Sequence, residues 1–273
     1  MPSKAPVYFF SHGGPDVQYN TGHPAYSVLQ NIGKEITEKV KPKAIVVFSG
    51  HWEGEPNTIL INKAEHTDLI YDFYGFPPKF YKAQYPNKGD PELAFKIMSL
   101  LSAAGIKTQG VTRGLDHGVW SGFHVAFHPE NNPLNVPIVQ VSLYMSEDPD
   151  KHYRLGQAVS SLRDEGVVII GAGMSVHNLR DYMLSGGEST PMPYSVSFDE
   201  ALKEAAEAPP EERQVRMAQV VKRPDARQAH PRMDHLMPVY VAAGAAGSDS
   251  GKRTWTLHEG SFAWAQYRFG DLS

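Results

Sequence analysis

Four of the chain's twelve histidines stand where a hydrophobic run gives way to small or turn-forming residues. His12 falls in VYFFSHGGP, His51 in AIVVFSGHWE, His177 in VVIIGAGMSVHNL and His235 in AHPRMDHLMP. The first three follow strand-like segments. In an α/β sheet the carboxyl ends of parallel strands share one edge, and ligands bind in the crevice there. Imidazoles delivered to that edge from distant points in the sequence can converge on one metal ion. The chain has no cysteine, so such a site would use nitrogen and oxygen ligands. The same spacing also fits four separate structural histidines, and no HExxH pattern ties any two of them together.

The segment Leu115-Asp116-His117-Gly118-Val119-Trp120 adds a fifth histidine. It reads either as a polar imidazole beside an aromatic pocket or as a turn in which Asp116 caps local backbone amides. His23, His66, His128, His152 and His258 read as surface or hydrogen-bonded core residues, and His124 has only a slightly better claim. Glu53 and Asp234 are either partners that orient their neighbouring histidines or solvated carboxylates. Trp52, Trp120, Tyr71 and Phe73 could wall a flat pocket for an aromatic ring, with core packing as the other use.

The elements that must position these residues are legible as runs and periods. Val7–Phe10, Ala44–Phe48, Thr58–Ile61, Lys107–Val111, Pro137–Leu143 and Val167–Ile170 are short, strand-like and bounded by turn residues. Between Pro24 and Val40 the residues Tyr26, Leu29, Ile32, Ile36 and Val40 recur at helical steps, with Pro24 suited to a first turn. Further helices are expected over Pro91–Ala104, Lys151–Arg163, Val196–Ala206 and Glu211–Val221, and after His235. Thr254–His258 and Ala263–Phe269, separated by Glu-Gly-Ser, predict a terminal hairpin. The alternation predicts an α/β fold: a mixed, largely parallel central sheet with helices on both faces.

Composition narrows the function. A length of 273 residues suits one large α/β domain. A hydrophobic share of 41% with 21% charged residues is that of an ordinary soluble globular protein. A net charge of −4 without a basic stripe argues against nucleic-acid binding. No apolar run approaches the roughly eighteen residues of a membrane span. The start, MPSKAPVYFFSHGG, reads as a first strand rather than a signal peptide, so the expected location is cytoplasmic.

Taken together and in order, SHGGP, SGHWE, LDHGVW, GAGMSVHNLR and AHPRMDHLMPVYVAAGA resemble the class III extradiol ring-cleavage dioxygenases (LigB-like). The resemblance is to the single-subunit branch that includes the 4,5-DOPA dioxygenases, and the terminal HEGSFAWAQYRFG is similar to that branch's ending. It covers almost the whole chain and implies one catalytic domain over residues 1–273. It implies that His12, His51 and His235 are metal ligands, His235 standing where some relatives carry a carboxylate. His177 then matches the acid–base catalyst, or a fourth ligand as in zinc-loaded relatives, and His117 a supporting or substrate-contacting histidine. The implied metal is ferrous iron, Fe(2+), with zinc, Zn(2+), able to occupy the same site. The implied partners are a small aromatic diol and O₂, and the implied product is a ring-opened semialdehyde. Many relatives carry serine where Gly14 stands, and the loop Leu184–Pro193 matches no pattern of the branch.

The chemistry suits the residues. A diol binding through two oxygens, with O₂ beside it, needs a metal with several open positions, which a facial set of three protein ligands leaves free. Three neutral histidines would leave the ion its full charge, favouring ionised phenols. An imidazole with a pKa near 6.5 can take and return a proton at neutral pH. Two other readings use the same scaffold: a zinc hydrolase acting through metal-bound water, and a non-catalytic metal-binding protein.

Overall fold

Three strands, Val7–Ser11 (β1), Ala44–Glu53 (β2) and Val167–Gly173 (β6), form the centre of the protein in a computed structural model that describes residues 4–272. Successive side chains leave a strand on opposite faces. Phe9, Val46, Phe48 and Ile169 therefore enter one core, and Tyr8, Phe10, Ile45, Val47 and Ile170 enter the other. Because both faces are covered, these strands are continuously apolar instead of alternating.

β6 lies between β2 and β1 and is parallel to both. On one side the sheet continues through Ile138–Leu143 (β5), Thr58–Asn62 (β3) and Lys107–Val111 (β4). On the other side Gln266–Phe269 (β11) and Gly251–Trp255 (β8) add antiparallel strands. The order is β4-β3-β5-β2-β6-β1-β11-β8, the mixed and largely parallel sheet that the sequence predicts.

Helices α1 (Pro24–Lys34) and α3 (His117–Ala126) cover the face that holds Tyr8 and Phe10. The opposite face carries α2 (Pro91–Ala103), α4 (Pro149–Val159), α6 (Pro193–Ala206), α7 (Pro210–Val220) and α9 (Met237–Ala245). The short α5 (Leu179–Leu184) and α8 (Ala226–Ala229) lie in the connections. Proline at the start of α1, α2 and α4 fits its missing N–H and fixed φ.

The strand expected over Ala44–Phe48 runs on to Glu53, the helix expected over Lys151–Arg163 tightens into 3-10 turns after Val159, and two further expectations are modified. The helix expected over Pro24–Val40 widens after Lys34 into π-helical turns, Glu35–Val40, and stops at Lys41, whose φ is 53°. The terminal hairpin exists as the β8–β11 pair, but each arm is broken. Residues between the arms form His258–Glu259 (β9) and Phe262–Ala263 (β10), which join Val176–His177 (β7) in a separate three-stranded sheet. That small sheet fixes His177, because Phe262 pairs directly with it.

Candidate metal centre

The register of the central strands decides where the histidines go. Ser11 lies opposite Gly173, and Ser49 opposite Ala172, so the pairings of β1 and β2 with β6 end nearly level, while β2 itself runs on to Glu53 and carries His51 within it. His12 follows β1 directly, and its N–H donates to the Gly173 carbonyl at 3.0 Å. His51 lies two residues beyond Ser49. The loop that carries His235 is drawn onto the same edge by Met174, whose N–H donates to the His235 carbonyl at 3.0 Å. Gly173 permits this approach, because a Cβ there would overlap that carbonyl. The ligand atoms of His12, His51 and His235 all lie within 4.8 Å of one another.

Hydrogen bonds settle which nitrogen of each ring faces inward. His12 Nδ1 lies 2.6 Å from the Gly13 carbonyl, which can only accept, so Nδ1 carries the proton. Its Nε2 is buried without a partner. His235 Nδ1 donates to Asp234 at 2.9 Å, and His51 Nδ1 donates to Asp72 at 2.9 Å. With both rings neutral and protonated at Nδ1, the Nε2 atoms of His51 and His235 face each other at 3.0 Å as two acceptors. Facing lone pairs at that distance repel unless a cation lies between them. Nitrogens held about 2.0–2.1 Å from one ion stand about 3 Å apart when nearly at right angles, so the spacing fits a metal.

Burial opposes a proton on two of these rings. Burial, and then the neighbouring His51, hold His12 and His235 well below the usual histidine range. Burial also acts on His51, but its hydrogen bond to Asp72 and the charges of Asp116, Asp72 and Asp234 overcome this and raise it. Neutral imidazoles are what a metal ion binds.

His177 stands beside this set. Its ring stacks on His235 with centroids 3.8 Å apart and 10° between planes, and Phe262 flanks it at 5.5 Å. Burial, followed by His235 and His230, holds its pKa well below the ordinary value. His117 lies 4.0 Å from His51 and 6.0 Å from His12, centroid to centroid, with Phe73 against it at 5.4 Å.

Several sequence expectations meet different surroundings. Asp116 does not cap α3. It is fully buried and binds Ser49 at 2.7 Å, Arg113 at 2.9 Å and Gln140 at 2.5 Å. The cap comes from Asp72, which accepts the His117 N–H at 3.0 Å. Of the two readings open for both carboxylates, Asp234 takes the orienting one, whereas Glu53 pairs with Arg232, since Arg232 supplies the charge that a partly buried carboxylate needs. Trp120 is fully buried, its indole donating to the Ile70 carbonyl at 3.0 Å, and Arg113 lies over Trp52 at 4.5 Å. His23 caps α1, His152 bonds within the core and His258 binds Asp199. Asp199, Glu200 and His258 form another acidic cluster, but Arg253 already neutralises it at 2.9 and 2.6 Å.

Two contributors carry no sequence signal that spacing could reveal. Asp72 lies between Tyr71 and Phe73 and serves both His51 and His117. His230, fully buried, donates from Nε2 to the Ser175 carbonyl at 2.9 Å, two residues before His177.

Residues 3–270 match the family described as the catalytic LigB subunit of aromatic ring-opening dioxygenase. The chain belongs to the LigB family. Within it, the chain is 35% identical to a 4,5-DOPA dioxygenase extradiol of Beta vulgaris, an alignment covering 96% of each protein. It is 34% identical to one of Mirabilis jalapa, again over 96% of each. A crystal structure of an uncharacterized protein from Escherichia coli K12 superposes with a TM-score of 0.75 at 25% identity, covering 98% of this chain and all of that one. The function of this LigB protein is extradiol ring opening, as the family match and these relatives together establish.

Proposed function

We propose that this chain, as one catalytic domain, binds ferrous iron through Nε2 of His12, His51 and His235 and opens a catechol-type diol with O₂. The observation that supports the reading is the set of Nε2 atoms turned towards one point, two of them 3.0 Å apart and the third buried without a partner. When bound, the iron supplies positive charge that favours the ionised diol and a place where diol and O₂ meet. Both atoms of O₂ enter the product as a ring C–C bond beside the diol breaks, leaving a carboxylate and an aldehyde. Zinc fits the same donor set but has no redox chemistry to offer.

The chain's own residues then divide the remaining work. Burial keeps His177 neutral in the free protein, and in this reading its unprotonated nitrogen takes the phenolic proton and returns it later. Its ring is parallel to that of His235, an orientation that suits a base beside the ligands better than a fourth ligand among them. His117, held at Nδ1 by Asp72, contacts the bound substrate. Phe73, packed on His117, lines the wall for the ring. In this reading the enzyme works in the cytoplasm on a small diol and O₂. Among the described residues no helix is long and apolar enough to cross a membrane.

The test is anaerobic reconstitution with ferrous iron, then O₂ uptake and yellow product formation across a panel of catechols. Activity with iron but not with zinc is expected. His177→Ala should keep the metal and lose about 10²–10⁴-fold in turnover. Loss of the metal in that variant would show His177 to be a ligand, and no diol turnover under any loading would refute the proposal.

A further inference from the structure

Asp72 and Asp234 both support metal-facing histidines, but they do so differently. Asp234 uses a single oxygen, Oδ1, for both the His235 N–H (2.8 Å) and the His235 Nδ1–H (2.9 Å). Asp72 uses both. Its Oδ1 accepts the His117 N–H at 3.0 Å and the His117 Nδ1–H at 2.8 Å, while its Oδ2 accepts the His51 Nδ1–H at 2.9 Å. The segment that carries Asp72 is itself pinned to the start of α3. The Ile70 N–H donates to the Leu115 carbonyl at 2.7 Å, the Leu115 N–H to Asp68 at 2.9 Å, and the Trp120 indole to Ile70. One carboxylate therefore fixes two imidazoles and caps a helix.

We propose that Asp72 is the positioning residue that sets the tautomers of His51 and His117 together, leaving Nε2 of each ring unprotonated. The proposal rests on the metal-site reading above in taking His51 as a ligand. A carboxylate is acceptor-only at both oxygens, which is why it can hold two N–H donors that must not exchange tautomers independently.

The distinction can be read by isosteric substitution. An asparagine has one acceptor oxygen and one donor amide. In Asp72→Asn the acceptor must stay towards His117, because the backbone N–H there cannot change its character. The amide then faces His51 Nδ1, donor against donor. His51 must move its proton to Nε2, the nitrogen that faces the metal. In Asp234→Asn the single acceptor still serves both donors of His235. The two substitutions remove the same charge near the site, yet only one reverses a ligand's tautomer.

The experiment measures zinc affinity by chelator competition and histidine tautomers by ¹⁵N NMR of the metal-free full chain at neutral pH. Wild-type protein should show His51 and His117 as Nδ1–H tautomers. Asp72→Asn should bind zinc about 10–100-fold more weakly, with His51 shifted to Nε2–H. Asp234→Asn should lose less than about threefold, with His235 unchanged. Equal losses in both variants would mean that charge alone acts and would overturn the proposal. So would an Nε2–H tautomer for His51 in the wild type, a result that needs no variant to fold. Wild-type protein that bound no zinc would remove the metal-site reading, and the tautomer spectrum would then decide on Asp72 by itself.

Discussion

Gly118, in the first turn of α3, offers a test in which two ordinary effects oppose each other. Replacing a helical glycine with alanine gains up to about 1 kcal/mol through backbone entropy. Here, however, a methyl group would stand 2.6 Å from His51 Cδ2 and 2.6 Å from Ser49 Oγ, with Asp116 Oδ1 at 3.2 Å. Comfortable separation begins at about 3.5 Å, so roughly 1 Å must be found. None of the neighbours is free to give it. Ser49 Oγ donates to Asp116 at 2.7 Å and accepts the His51 N–H at 3.1 Å, while the His51 ring is held by Asp72. Overpacking of this kind costs about 1–3 kcal/mol, which outweighs the helix gain. Gly118→Ala should therefore lose about 1–2 kcal/mol of stability when metal-free, and bind zinc at least about tenfold more weakly if the displaced ring is the ligand proposed above. Urea denaturation in chelator and zinc competition measure the two effects. Gly22→Ala, with nothing within 4 Å of its new Cβ, serves as the control and should change little. A Gly118→Ala protein that is more stable than wild type, with zinc affinity unchanged, would refute the packing argument and the place it gives His51.

Zinc at a hundredfold excess over its dissociation constant should stabilise the chain by about 2.7 kcal/mol. For a domain of this size that is a rise in Tm of about 5–10 °C, and His12→Ala should abolish most of it. His152, fully buried between the Tyr144 N–H (3.2 Å) and the Asp148 carbonyl (2.8 Å), has its pKa pushed down by burial to about 4. The unfolded chain takes up that proton as pH falls through about 6.5, but the folded chain refuses it until about 4. Stability is thus intact above about 6.5 and lost between 6.5 and 4, by about 3 kcal/mol. His152→Gln, which can keep both hydrogen bonds, should flatten the pH dependence of urea stability in that window by about one proton. An unchanged slope would show that another group titrates there.

What could be read from the sequence was whatever depends on local order. Ser11-His12-Gly13 marks the end of β1, and Ser49-Gly50-His51 the point where β2 parts from β6, each by an apolar run meeting small residues. Parallel neighbours whose pairing ends level then bring those histidines to one edge. Asp234 was legible as a partner of His235 because adjacent residues in a turn can bond with no help from the rest of the fold. Glu53, equally near His51, was drawn instead to Arg232, which is distant in sequence. The broken hairpin arms escaped notice because the two alternating runs do not show where the chain changes from one sheet to the other.

Asp72 escaped for a deeper reason. Spacing shows where an imidazole goes but not which of its nitrogens carries the proton, and that proton determines whether the ring can bind a metal at all. The tautomer is fixed by a partner, and the partner here arrives through tertiary pairing of the Asp68–Asp72 segment with Leu115. The partly buried carboxylate is kept charged against the penalty of burial by hydrogen bonds from His117 and His51, so the two rings stabilise the anion that orients them. Such mutual dependence has no period and no motif. It explains why histidine positions alone left a four-residue coincidence open, whereas the direction of three Nδ1–H bonds singles out His12, His51 and His235 as the proposed donors for one cation.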